Sequence, residues 1–298
     1  QQINQKAVRE TQLKSISTQS RKLEKITFAD GGWKEFTYNN DGQTVGFKSY
    51  VFNEGTGTVV LSEDNTFSYD SKGNQILQVF KTLKSDNLTV TEKDEYEYDS
   101  QNRETLQLSS IYSDELEKLV NASKTVTTYQ SDGLIVENYL WDETAQNWIL
   151  ESKTEIELKN NILSKETNYS KSEITGEIVK SMIMEFTYNS NGSLKQTLTK
   201  MVDEETGQMV DFMKSVMSYD NNGNEILSLE SMFDSESGTW MEWSKTISNF
   251  NSNNELISDE YYSLDWLSFQ LGITEKHEYN YSNSKLTQEL IYQRDRSS

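Results

Sequence analysis

Phe186-Thr187-Tyr188-Asn189-Ser190-Asn191-Gly192 reads as a strand end running into a turn, and the chain returns to it along its whole length. The same shape recurs as FTYNNDG at 36–42, FSYDSKG at 67–73, YEYDSQN at 96–102, TTYQSDG at 127–133, MSYDNNG at 217–223 and SNFNSNN at 248–254. Two worn copies, IELKNN around Leu158 and YNYSNS around Tyr281, complete the series. The anchor residues are therefore Tyr38, Tyr69, Tyr98, Tyr129, Leu158, Tyr188, Tyr219, Phe250 and Tyr281, spaced by 31, 29, 31, 29, 30, 31, 31 and 31 residues. A period this constant is the mark of a repeat architecture.

The residues before each anchor alternate with period two. In the run Trp148 to Leu158, one face carries Trp148, Leu150, Ser152, Thr154, Ile156 and Leu158, and the other carries Ile149, Glu151, Lys153, Glu155 and Glu157. That is the pattern of a half-buried antiparallel strand. A lysine stands five residues before the anchor at Lys93, Lys124, Lys153, Lys214, Lys245 and Lys276, on the face away from the tyrosine. With acidic neighbours such as Glu92, Glu95, Glu151 and Glu155 these lysines are expected to form cross-strand charge pairs.

After the anchor, Asn or Asp folds its side chain onto the following backbone, and Gly or Asn accepts the positive φ that closes the turn. A second strand follows, as in Glu225–Phe233, and then a more variable turn: FNEGTGTV (52–59), WDETAQNW (141–148), VDEETGQM (202–209), FDSESGTW (233–240). Each repeat is thus two strands and two turns. The fold expected is all-β: about nine repeats of ~30 residues, roughly eighteen strands joined by short hairpins into one continuous antiparallel meander. Sheets of that size twist and curl, so the meander is expected to be coiled with the tyrosines inward, a closed barrel-like or shell-like sheet being the alternative. Residues 1–25 read as a basic N-terminal arm and 26–298 as a single β-repeat domain. In the arm, Lys6, Arg9, Lys14, Arg21, Lys22 and Lys25 outnumber Glu10 and Glu24.

Composition narrows the function. A net charge of −20 over 298 residues lacks the basic footprint that binds nucleic acid. Mean hydropathy is −0.76, no apolar run is long enough for a membrane helix, and charge on both strand faces argues against a lipid-facing barrel. Hydrophobic content of 34% predicts a thin core, and 11% aromatic residues predict that it is aromatic-rich. Cysteine and proline are both absent, which removes thiol chemistry and suits uninterrupted strand pairing. The start at Gln1-Gln2 is compatible with an exported protein whose signal peptide has been removed.

The Tyr-Asp-x-x-Gly core, Tyr69-Asp70-Ser71-Lys72-Gly73 and Tyr219-Asp220-Asn221-Asn222-Gly223, resembles the YD repeats of bacterial Rhs-type surface and toxin proteins. The longer period with its Trp-flanked acidic turn is more similar to repeat proteins exported by Bacteroidetes. The resemblance covers residues from about 25 to 290 and rests on turn and core positions. It implies β-hairpins that spiral into a shell, and no catalytic residue carries over.

The chemistry-bearing residues give no catalytic constellation. His277 is the sole histidine, on the tyrosine face of its strand, and no nucleophile elbow accompanies it. The acidic turns Asp142-Glu143, Asp203-Glu204-Glu205 and Asp234-Ser235-Glu236 offer oxygen ligands for calcium, but none has EF-hand spacing, and turn capping is the reading preferred. No cofactor and no metal site are expected. The candidate binding residues are Trp141, Trp148, Trp240, Trp243 and Trp266. Aromatics flanking a hairpin turn clamp it; set along a groove they stack on sugar rings instead. The expected function is a non-catalytic scaffold, adhesion or protein-interaction module, secreted or on the cell surface, with carbohydrate binding through the Trp-lined turns as the alternative. The partner expected is a protein or a cell-envelope polysaccharide, and end-to-end self-association through the basic arm, with Arg294 and Arg296 at the other end, is a further expectation.

Overall fold

The computed structural model describes residues 22–293 except 85, 86, 174, 204, 205 and 266. Most of the basic arm, Trp266, Arg294 and Arg296 therefore lie outside the described residues. The chain divides into two compact units, Gln1–Lys124 and Thr125–Ser298. The first contains β1 (Lys25–Thr27), β2 (Trp33–Tyr38), β3 (Thr44–Asn53), β4 (Thr58–Tyr69), β5 (Gln75–Lys84), β6 (Asn87–Tyr98) and β7 (Glu104–Ser113); β8 (Lys118–Gln130) runs across the boundary. The second contains β9 (Gly133–Asp142), β10 (Asn147–Lys159), β11 (Ile162–Lys171), β12 (Ile178–Tyr188), β13 (Leu194–Val202), β14 (Met209–Tyr219), β15 (Glu225–Asp234), β16 (Thr239–Phe250), β17 (Leu256–Asp265), β18 (Gln270–Ser282) and β19 (Lys285–Gln293).

The fold is all-β, and no helix occurs among the described residues. From β1 to β7, and again from β9 to β19, every strand pairs antiparallel with its chain neighbours. This is the meander the repeats require, and neither unit closes on itself as a barrel. The strand beyond the eighteen expected is β1, three residues that span the boundary between arm and repeat domain, laid against β2.

Each anchor stands at or one residue before the end of its strand. Where Asn or Asp follows, its side chain holds the turn: the Asp70 carboxylate accepts the backbone N–H of Lys72 and Asn74, and Asp220 those of Asn222 and Asn224. The residue four past the anchor then sits at positive φ in Gly42, Gly73, Asn102, Gly192, Gly223 and Asn254. The two worn copies are different turns, with Asn160-Asn161 and Asn283-Ser284 as consecutive positive-φ pairs, the geometry of a two-residue hairpin loop.

Bulges flank the anchor turns at fixed distances, the two worn copies skipping Ser164 and Thr287, six past their anchors. On the strand leaving the turn, one residue is skipped by the pairing: Val45, Ile76, Thr105, Lys195, Ile226 and Ile257, each seven past its anchor. On the strand arriving, the skipped residues are Ser62, Thr91, Glu151, Ser181, Phe212, Trp243 and Thr274, each seven before its anchor. A bulge adds twist and re-aims side chains. Hydroxyls stabilise several of them, as where Ser181 Oγ donates to the Asn168 carbonyl (3.1 Å) and Thr274 Oγ1 to that of Tyr261 (3.1 Å).

Neighbouring repeats are tied sideways. Tyr69 Oη donates to the Thr44 carbonyl (2.7 Å) and Tyr98 Oη to that of Gln75 (2.9 Å), each at the start of the preceding repeat's second strand. The turns touch in the same direction, Gln43 Nε2 reaching Gly73 O at 2.9 Å and Asn224 Nδ2 reaching Asn254 Oδ1 at 2.6 Å.

The one-sided aromatic core is where structure and expectation part. Among the described residues Leu264 is the single buried hydrophobic side chain, whereas Ser49, Asn65, Asp94, Thr167, Thr199, Ser231 and Asp259 are buried polar ones. Both faces are instead half-covered. Phe36, Phe47, Phe67 and Phe80 stack laterally on the anchor face, with centroids 6.0 to 6.3 Å apart. On the opposite face the recurrent lysines lie over aromatic rings, Lys245 at 4.1 Å from Tyr262 and Lys153 at 5.2 Å from Tyr169. Their ion pairs run mainly along the strand, Lys93–Glu95 (2.8 Å), Lys153–Glu155 (2.6 Å) and Lys276–Glu278 (2.9 Å), rather than across it; Lys276–Glu260 (3.7 Å) is the cross-strand exception. Residues two apart share a face, so the along-strand glutamates stay within reach even where the register sets a carboxylate opposite, as Glu137 stands opposite Lys153.

Two predictions follow from this bonding. Tyr69→Phe and Tyr98→Phe each lower unfolding free energy by ~1 kcal/mol in urea titrations, the worth of one hydrogen bond. Bonds from Asn74 to Asp70 and from Asn224 to Asp220, and the Arg103 backbone N–H on Asp99, hold these carboxyls below the ordinary aspartate range. Their stabilisation is complete above the unfolded pKa and disappears as pH falls below about 4 through the lower folded value. The triple variant D70N/D99N/D220N keeps the turn, as Asn189 does naturally, and flattens the acid limb of the stability–pH curve.

Candidate functional site

The variable turns form the second end of every hairpin, and they are as regular as the anchor turns. Except in the shorter hairpin between Lys84 and Asn87, their first residue is Asn53, Ser113, Asp142, Ser172, Asp203, Asp234 or Asp265, sixteen before the next anchor. Its side chain accepts turn N–H groups: Asn53 from Gly55 and Thr56, Asp142 from Thr144 and Ala145, Asp265 from Leu267 and Ser268. The leading aspartates of the acidic turns thus act as caps. Bonds from Ser237 and the Glu236 backbone N–H hold Asp234 below its usual pKa. Among the described residues no group of three or more His, Asp or Glu side chains is placed to hold a metal ion.

Four residues past the cap the backbone again takes positive φ, at Gly57, Glu117, Gln146, Gly176, Gly207, Gly238 and Phe269. Glycine supplies this conformation without steric cost, whereas Phe269 adopts it at φ 53° with 65% of its surface exposed. Beside it Leu267 is 96% exposed.

The residues framing each turn pair across the hairpin. Trp141 pairs with Trp148, their rings T-shaped at 5.1 Å, and Phe233 pairs with Trp240 at 5.3 Å. Lys214 Nζ lies 4.4 Å over the Trp240 ring. The same slot holds Phe52 and Val59, Leu83 and Leu88, Val202 and Met209, and Leu264 and Leu271 elsewhere. The tryptophans therefore occupy a clamp position that other repeats fill mostly with aliphatic residues, and with Phe52 and Lys171 in two of them.

Of the five tryptophans singled out, the structure joins Trp141 with Trp148, sets Trp240 against Phe233, and places Trp243 at the bulge on the following stretch of β16. The Trp243 indole N–H is buried without a hydrogen-bond partner. Trp266 lies outside the described residues. Between the two aromatic pairs stand the hairpins framed by Lys171/Ile178 and Val202/Met209, so the aromatic platform is interrupted. At ~4.8 Å per strand the pairs are six strands, or about 29 Å, apart along the strand order.

Sequence reasoning passed over the contacts of His277. Its Nε2 lies 2.6 Å from Glu275 and its Nδ1 3.0 Å from Glu289, beside buried Asp259 and the rings of Tyr261 and Tyr279. The alternation Glu275-x-His277-x-Tyr279 on one strand face was the visible signal.

No protein-family model matches this chain, and neither does any curated protein. Solved structures of similar local architecture exist. A protein of unknown function from Bacteroides fragilis is 16% identical, covering 43% of this chain and 93% of its own, at a TM-score of 0.34. A porin-like protein from Bacteroides uniformis is 12% identical over 77% of this chain and 94% of its own, at 0.28. TcdB2-TccC3-TEV is 13% identical over 92% of this chain, which spans 15% of that much longer one, at 0.24. No family follows. Identities and scores this low assign nothing. No helix among the described residues is long and apolar enough to cross a membrane.

The turn geometry is testable directly. Phe269→Gly removes an unfavourable left-handed backbone at an exposed site and raises stability by ~1 kcal/mol, whereas Trp240→Ala, losing the Phe233 and Lys214 contacts, lowers it by ~2 kcal/mol, both read from denaturant midpoints.

Proposed function

We propose that the chain is a non-catalytic repeat scaffold of the bacterial surface or exterior, which offers its variable turns to a protein partner. One observation carries this reading. Anchor turns are occupied with their own hydrogen bonds and with neighbouring repeats; Ile76, Ile162, Ile257 and Leu286 are exposed beside them, but more of the exposed large apolar side chains, and the two most exposed, lie near the variable turns. Phe52 (43%), Leu116 (47%), Leu140 (51%), Phe269 (65%) and Leu267 (96%) are examples. Apolar exposure repeated at one hairpin end is what an interaction surface presents. The resemblance to YD-type repeats supports the surface setting, and the acidic charge of −20 favours a soluble extended scaffold over a nucleic-acid binder.

Carbohydrate binding is the second reading, favoured by the paired rings of Trp141 and Trp148. In it, an extended polymer engages this pair and the Phe233–Trp240 pair. Self-association through residues 1–25 belongs to the first reading, and its signature is a sedimentation coefficient that falls with added salt.

Intrinsic tryptophan fluorescence against a panel of soluble polysaccharides, with and without calcium, separates the two. The scaffold reading predicts no saturable change, and Trp148→Ala and Trp240→Ala alter stability alone. A saturable shift with one glycan class that vanishes in those variants would replace it with the second.

A further inference from the structure

His277 is the one histidine of the chain, and it sits where three strands meet. In register it pairs with Asp259 of β17 and Ile291 of β19. Both ring nitrogens face carboxylates, Nε2 that of Glu275 on its own strand (2.6 Å) and Nδ1 that of Glu289 on β19 (3.0 Å). The titratable groups around it are Asp259 and Tyr261 from β17, Glu275 and Tyr279 from β18, and Glu289 from β19. The Tyr261 ring stands edge-on at 5.5 Å, and Tyr279 Oη lies 3.4 Å from Nδ1 and 3.4 Å from Asp259 Oδ2. Asp259 is engaged independently, accepting from Ser248 Oγ at 2.6 Å.

β19 differs from the strands before it. All but one of its nine residues are exposed, including Leu286 (53%), Ile291 (53%) and Tyr292 (50%). Beyond the backbone ladder to β18 it has few side-chain ties: Tyr292 to Glu278 at 3.3 Å, Gln288 to Asn280 at 3.3 Å, Thr287 to the Asn280 carbonyl at 2.9 Å, and the Glu289–His277 contact. That last contact is the shortest to carry a charge.

We propose that His277 is a proton-operated clasp on β19. With a proton on each nitrogen, the imidazolium donates to Glu275 and Glu289 at once and ties the outer strand to β18. When the Nδ1 proton leaves to solvent, Nε2 keeps its proton on Glu275, and Nδ1, with the Tyr279 hydroxyl beside it, becomes an acceptor facing the Glu289 carboxylate. Attraction turns to lone-pair repulsion at that contact, and β19 loosens while its backbone pairing persists. The bonds to Glu275 and then Glu289 raise the imidazole pKa above its ordinary value. A raised folded pKa gives stabilisation that is complete below about 6.5 and lost as pH rises through the folded value. The clasp therefore holds in mildly acidic surroundings and yields toward neutral and alkaline pH, which makes β19 easier for a partner to displace from β18.

The experiment is an NMR titration of the full chain, in which a single histidine makes the ring signal unambiguous, run alongside amide hydrogen exchange corrected for its intrinsic pH dependence. The expected result is a His277 pKa above that of free histidine. Protection of Lys285–Gln293 should fall by about fivefold through that same pKa, the ceiling for one partly exposed ion pair, while β14 and β15 stay unchanged. Glu289→Gln should lower the His277 pKa and abolish the pH-linked change in β19, and His277→Gln should abolish it as well. Flat protection of β19 across the histidine titration, or an unchanged pKa in Glu289→Gln, overturns the clasp.

Discussion

A carboxylate or amide folded back onto the next backbone N–H groups is the interaction on which this molecule is built. Asp70, Asp99, Asp220 and Asn251 each accept two turn N–H groups, from the second and fourth residues onward. That grip sends the residue three past it into positive φ and sets where the second strand begins. The bulge seven residues past the anchor follows from it, and the matching bulge seven before resets the register at the other end. Once each hairpin has this fixed geometry, the lateral contacts recur: tyrosine hydroxyl to the previous repeat's carbonyl, turn side chain to the next turn.

Such a body has little need of a deep core. Repeat proteins derive stability from each unit and its two neighbours, summed along the stack. Here the sum is made of strand ladders, cross-strand aromatic pairs and lysines lying on rings, each small and each repeated. Buried polar residues such as Asn65 and Asp259 are tolerated because they bond within the sheet, Asn65 accepting the Lys81 N–H and Asp259 the Ser248 hydroxyl. The division also leaves function to the turns. Anchor turns are held by repeated lateral bonds, whereas the variable turns share the cap and one left-handed residue, with a lateral tie such as Lys84–Asp114 (2.6 Å) in one pair, and carry different side chains between those points.

Much of this was legible in the residues. Tyrosine, Asx and glycine at a constant period disclosed the hairpins, their number and the all-β class, because turn chemistry is local. The clamp role of Trp141 with Trp148 and Phe233 with Trp240 was legible too, since each pair brackets a turn. The bulges were not, although Ser62, Thr91, Ser181 and Thr274 share one offset, because a hydroxyl in a strand has no unique meaning until its partner carbonyl is known. The assumption of regular alternation then misplaced the core and made the lysine pairs cross-strand. His277 was read alone because Glu289 lies on another strand, and cross-strand proximity depends on a register that only the turn at Asn283-Ser284 decides.

Locally set turns and lateral ties, rather than a buried core, hold the sheet. Native-state hydrogen exchange of the turn amides tests it most directly. Gly223 and Asn224, whose N–H groups bond to Asp220 at 3.2 and 2.9 Å, should be protected nearly as well as the flanking strand amides of β14 and β15, and Gly73 and Asn74 likewise beside β4 and β5. Turn amides exchanging at free-peptide rates, with protection concentrated around a single cluster such as Leu264, would contradict it.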